Sequence, residues 1–175
     1  MKQHYDYFTP IIDWADERGI LKHGRLRKQL LKSTKECTEL QRAIESYENG
    51  DKEAIHEIKD AIGDIYVTLV ISTHMRFKNA YVLFKLVKTV NEKFPFECDV
   101  DFYIDELKAL DKLLYQLYTA EMTETADLFI FKYVDFLDHI ARDYNLKLVD
   151  CIDTAYNTIS KRSGQMIDGT FVKDK

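Results

Sequence analysis

QLLKSTKECTELQRAIESYENGDKEAIHEIKDAIGDIYVTLVI, residues Gln29 to Ile71, reads as two helices joined by a turn, each bearing carboxylates. On the first, Glu36 and Glu39 stand at i and i+3, so both leave one face of a 3.6-residue helix, with Lys32 one turn before them. Beside that ridge Leu26, Leu30, Cys37, Leu40 and Ile44 form an apolar stripe spaced to lie on a core. Asn49-Gly50-Asp51 marks the turn: glycine suits the left-handed residue ending one helix, and aspartate suits the N-cap of the next. On the second arm Asp60 and Asp64 stand at i and i+4 with Glu57 at their edge, opposite a stripe of Ile55, Ile58, Ile62, Ile65 and Leu69. The Asp60 and Asp64 face continues into Val67 and Ile71, which a solvated acidic face would not do.

Packing such arms antiparallel at ~8 to 10 Å turns Glu36 and Glu39 toward Asp60 and Asp64. Converging carboxylates repel and raise one another's proton affinity, so the cluster implies cations, and hard oxygen ligands suit Mg²⁺ or Mn²⁺. Gly63, in mid-helix, costs about 0.5 to 1 kcal/mol relative to alanine and signals a close approach, by a partner helix or by a metal.

Glu36-x-x-Glu39, the hairpin, and Asp60 ahead of the Gly63-Asp64 pair resemble the MazG-like all-α nucleotide pyrophosphohydrolases, especially their phage-encoded branch. Two further blocks carry the resemblance, WADERGI from Trp14 to Ile20 and AYNTISKRSGQMIDGTFVK from Ala155 to Lys173. The blocks cover about half the chain and are specific only when taken together.

The resemblance implies metal-dependent cleavage of a nucleoside triphosphate between its α and β phosphates, giving monophosphate and pyrophosphate. It also implies a homodimer or a dimer of dimers. Glu36, Glu39, Asp60 and Asp64 would be the catalytic, metal-holding acids, with Glu57 as a further ligand. Trp14 and Arg18 would border the nucleotide, Lys32 a phosphate, and Asn157, Lys161 and Arg162 the triphosphate. Two departures stand out: Lys35 occupies the first place of the usual adjacent Glu pair, and Ala61 stands where many members carry an acid that Asp60 here replaces.

The bland alternatives are a core anchor for Trp14, an i,i+4 salt bridge for Lys32, and a solvated helix end for Lys161 and Arg162. Two rival classes are a helical interaction module with surface carboxylates and a di-iron bundle. The latter is suggested by Glu53-x-x-His56, but that motif occurs once and lies far along the helix from Asp64.

The whole chain fits an all-α helical bundle around this acidic hairpin. It has 175 residues, 46% of them hydrophobic, enough for one domain, with only six Gly and two Pro to interrupt helices. A metal and nucleotide core over about 10–78 and a last helix at 147–162 would be joined by further helices in 79–146. The last helix would bury Leu148, Cys151, Ile152, Ala155 and Ile159, and Gly164 would end it.

The net charge of −5 comes from 25 basic and 30 acidic residues that are mixed throughout, leaving no basic face for a nucleic-acid polymer. Three scattered cysteines fit buried thiols rather than disulfides or zinc. With no leader-like start and no long apolar run, a soluble cytoplasmic protein is expected. Thr9-Pro10 reads as the start of a first helix that Gly19 closes, followed by a basic loop over 21–26. The second arm should run to about Lys78. Tyr81 to Val90 reads as apolar helix or extension, Pro95 and Cys98-Asp99 break the pattern, and two amphipathic helices follow, one through Ile104 to Leu117 and one after Thr123.

Overall fold

A computed structural model describes residues 2–77, 79–87, 99–119 and 126–174. The fold is an all-α bundle: α1 (Phe8–Glu17), α2 (Ile20–His23), α3 (Leu26–Glu48), α4 (Ile55–Arg76), α5 (Ala80–Leu86), α6 (Val100–Thr119), α7 (Ala126–Asp143) and α8 (Leu148–Ser160). A two-stranded hairpin, β1 (Gly164–Ile167) and β2 (Thr170–Lys173), closes the described chain.

α3 and α4 form the hairpin the sequence predicts. Gly50 takes φ 106°, and the Asp51 side chain accepts from the Glu53 amide to start a 3-10 turn ahead of α4. Leu30, Cys37, Leu40 and Ile44 of α3 are buried with Ile58, Ile62, Ile65 and Leu69 of α4, as their stripes require. From Ile65 to Thr73 every side chain of α4 is buried, so this helix is the centre of the bundle. A helix enclosed on all sides must satisfy its own hydroxyls. It does: Thr68 donates to the Ile65 carbonyl at 2.9 Å, Ser72 to that of Thr68 at 2.7 Å, and Thr73 to that of Leu69 at 2.6 Å.

α8 packs on α4 at Gly63, and the glycine is required there. A Cβ on Gly63 would lie 2.3 Å from the Cys151 carbonyl oxygen and 2.7 Å from the Ala155 Cβ. The close approach announced by that glycine is therefore to a partner helix. The remaining face of α3 meets α6, where Thr34 donates to Asp111 at 2.8 Å. One continuous cluster of buried apolar side chains draws residues from all eight helices.

Several boundaries depart from expectation. The first helix begins at Phe8 after a 3-10 turn at His4–Tyr7, not at a Thr9 cap. Tyr7 and Phe8 are buried, which draws the chain into the helix early, and Pro10 is tolerated because first-turn amides have no intrahelical partner anyway. Gly19, at φ 70°, ends this helix as read. The basic loop contains a helical turn, α2, anchored by the buried Ile20.

α4 stops at Arg76, where Phe77 turns extended, and α5 is a separate helix. Asp99 accepts from the Phe102 amide at the start of α6. Pro95, Cys98 and Thr123, with the side chains of Leu117 and Ala126, lie outside the described residues. Among the described residues no helix is long and apolar enough to cross a membrane.

The strand pair was not anticipated. Gly164 ends the last helix but also opens β1, and Asp168-Gly169, at φ 50° and 79°, makes the turn between strands paired at Ile167 and Thr170. The pair is tied down on the α1–α3 side: the Arg25 amide donates to the Gly169 carbonyl at 3.3 Å, and Phe171 meets the Trp14 ring edge-on at 5.8 Å.

Candidate functional site

The acidic ridge of α3 and the acidic face of α4 open onto a single cleft. Glu36, Glu39, Glu57, Asp60 and Asp64 line a cavity of about 290 Å³, together with Arg42 and Ala61. Helical spacing puts each pair on its face, and the hairpin turns the faces together. Glu36 is only 4% exposed, a depth at which an ionised carboxylate needs compensation.

Compensation comes partly from lysines. Lys35 Nζ lies 2.5 Å from Glu39 Oε1 and 3.9 Å from Glu36 Oε1. The residue that interrupts the expected acidic pair thus bridges the two acids that remain. Burial, a hydrogen bond with Glu39 and the charge of Asp64 push the Glu36 carboxyl up to about 7, against the pull of Lys35 and Lys32. Glu39, held by Lys35, is lowered. Asp64 is raised by burial and by Asp60, while Lys32 and Arg162 oppose the rise. Lys32 is lowered by burial and supported by Glu36 and Asp64. Near neutrality Glu36 is therefore divided between its protonated and ionised forms.

These residues suit a hard divalent cation: the donors are all carboxylate oxygens, one deeply buried, and their mutual repulsion goes only partly answered by Lys35 and Lys32. Among the described residues no three such side chains converge tightly enough to ligate one ion, although five of them line one cleft.

A thermal consequence follows. Because Glu36 binds its proton more tightly folded than unfolded, it favours the folded state below about 4.5 and loses that contribution as pH rises through about 7. The metal-free protein should lose melting temperature across that interval relative to Glu36→Gln, and millimolar Mg²⁺ or Mn²⁺ should restore it above pH 7. Calorimetry on both proteins checks this; parallel pH curves would remove the buried acid from the explanation.

The other expected site residues divide. Lys32 interacts electrostatically with Glu36 and Asp64, and Arg162, just past α8, comes close enough to act on both Lys32 and Asp64. Arg18 holds that arm: its Nε and Nη2 donate to the Arg162 carbonyl at 3.4 and 3.3 Å, and its guanidinium lies 5.8 Å from the Trp14 ring centre. Arg18 is thus a positioning residue for Arg162. Asn157 instead donates to Asp153 at 2.9 Å, and Lys161 is exposed, with no side-chain partner among the described residues. Glu53 and His56 pair with each other at 3.8 Å on the exposed surface, away from the acidic cleft.

Trp14 lines a second cavity, of about 350 Å³, bounded by α1, α3, α4 and the strand pair. Its walls are apolar at Ile71, Met75, Met166 and Phe171 and cationic at Arg25, Lys28, Lys32 and Lys35. Lys35 also bridges two of the acids and Lys32 acts on them electrostatically, so these two lysines link the aromatic cavity to the acidic cleft. The sequence reading missed Lys28, Gln29, Lys35 and Phe171 as cavity residues. A local signal existed for the lysines: positions 28, 32 and 35 follow i, i+4, i+7, a basic ridge along α3. No family model matches the chain, and neither curated proteins nor solved structures give a match.

Proposed function

We propose that the chain is a Mg²⁺- or Mn²⁺-dependent nucleoside triphosphate pyrophosphohydrolase that releases a nucleoside monophosphate and pyrophosphate. The observation that carries this reading is a cleft lined by five acids of α3 and α4, two of them held by Lys35, a lysine that also lines the neighbouring aromatic cavity. A nucleotide needs such a pair of neighbouring environments, one for its phosphates with a metal and one for its base.

Glu36, Glu39, Asp60 and Asp64, with Glu57 beside them, would hold the ion. Bound there, magnesium neutralises phosphate charge and acidifies water. Lys32 and Arg162 neutralise the charge that gathers on the pyrophosphate as the bond between the α and β phosphates breaks. Glu57, or Glu36 in its ionised form, accepts the proton of the attacking water, whose oxygen stays on the monophosphate if attack is at the α phosphorus. The cleft acids act by holding and orienting, the basic residues by charge.

The deciding experiment is a panel of ribo- and deoxyribonucleoside triphosphates and diphosphates with Mg²⁺, scored for pyrophosphate against orthophosphate. Pyrophosphate release from triphosphates, abolished by chelation, is expected. Orthophosphate alone, or no turnover across the panel, would leave a helical interaction module as the better reading. Self-association into a dimer or dimer of dimers belongs to the same proposal, with exposed Tyr81, Val82 and Leu86 on α5 as apolar surface for it. A monomeric mass by light scattering counts against that part.

A further inference from the structure

Among the described residues, the ion pairs that reach the five cleft acids all come from Lys35, whose Nζ lies 2.5 Å from Glu39 Oε1 and 3.9 Å from Glu36 Oε1. The partners differ in freedom. Glu36 is enclosed, its side chain 6% exposed, whereas that of Lys35 is 64% exposed and ends in a compact charge on a flexible four-carbon stem. Lys35 also lines the aromatic cavity, so from one backbone position it borders both the acids and that second space.

An ammonium on these oxygens holds the place of a hard cation. A divalent ion that takes Glu36 and Glu39 meets the Lys35 charge almost at contact. Their repulsion is twice that of two unit charges, in a cleft where the burial of Glu36 limits screening. The ammonium is the partner that yields, because a half-exposed i,i+4 pair contributes little and its release costs little.

We infer that Lys35 is an internal stand-in for the divalent ion: its ammonium bridges Glu36 and Glu39 while the ion is absent and is displaced from them when the ion binds. Metal affinity is thereby held down until the ion is concentrated enough to win the exchange, and loading frees one cation at the edge of the aromatic cavity. The inference rests on the cleft holding a divalent ion, as the proposed function has it, and not on which bond is hydrolysed.

Binding of Mn²⁺ to the full chain, without nucleotide, can be followed by the paramagnetic resonance of the free ion. It should be about fivefold tighter in Lys35→Gln than in the parent, the value of one exposed ion pair. Lys28→Gln is the control for charge alone, since it removes a cation from the same helix about 10 Å away. Screened over a Debye length of about 8 Å, that change should alter affinity less than about twofold. The second readout uses the unaltered protein and Mg²⁺: nitrogen relaxation of the Lys35 ammonium, assigned by its loss in Lys35→Gln, should show it ordered without the ion and as mobile as Lys28 at saturation.

Equal Mn²⁺ affinity in Lys35→Gln and the parent, an equal gain in Lys28→Gln, or a Lys35 ammonium that stays ordered at saturating Mg²⁺ would each overturn the exchange. Absence of Mn²⁺ binding in all three proteins would overturn it together with the metal-dependent reaction. The predicted exchange without pyrophosphate release from any triphosphate would instead sink the reaction and leave the role of Lys35 standing.

Discussion

Glu36→Gln combined with Glu39→Gln should lower pyrophosphate release by about a thousandfold, since a metal's charge stabilisation is worth several kcal/mol and each 1.36 kcal/mol is tenfold. The fold should survive. Glutamine matches glutamate in shape, and at the Glu36 position burial already opposes the charged form. Removing that charge costs the protein nothing and relieves repulsion from Asp64. The expected result is therefore an inactive protein whose melting temperature at pH 7 to 8, without metal, equals or exceeds the parent's, and whose melting no longer responds to Mg²⁺. Pyrophosphate release at the parental rate from the folded variant would end the assignment of the cleft.

The largest effect on stability should come from Gly63→Val. The atom a Cβ would strike first is the Cys151 carbonyl oxygen, part of the α8 backbone, which cannot rotate aside as a side chain would. Overpacking of this kind costs about 1 to 3 kcal/mol, and valine should lie at or above the upper end because its branch meets Ala155 as well. The gain from replacing a mid-helix glycine, about 0.5 to 1 kcal/mol, offsets only part of that.

For a domain of this size each kcal/mol moves the melting temperature by about 2 to 4 °C, so a fall of roughly 4 to 10 °C is expected by differential scanning calorimetry. Turnover should fall as well, because Arg162 follows directly on α8. A variant that melts with the parent would mean that α8 does not seat on α4 as described.

The hairpin was legible because its information is local. Stripes at helical spacing, acids on the same face and Asn49-Gly50-Asp51 lie within a few turns of each other, and Val67 and Ile71 continuing the acidic face already implied the enclosure of α4. Gly63 announced a close approach but not its partner, since nothing near it in sequence points to Cys151.

The strands at 164–173 were hidden by their brevity in a chain otherwise rich in helical pattern, although Asp168-Gly169 is a strong hairpin signal. Lys35 read as a missing acid, because sequence shows which charge is lost and not the two carboxylates the ammonium reaches. The aromatic cavity was the least legible feature. Trp14, Gln29 and Phe171 come from three separate elements, and the cavity they line becomes visible only when the fold brings those elements together.

The bond from Arg18 to the carbonyl of Arg162 joins the first helix to the end of the last one. On the ribosome, α3 and α4 emerge long before that carbonyl exists. A nascent chain consequently holds both acidic arms before it holds the guanidinium that acts on Asp64, and that counter-charge arrives only with the segment after α8.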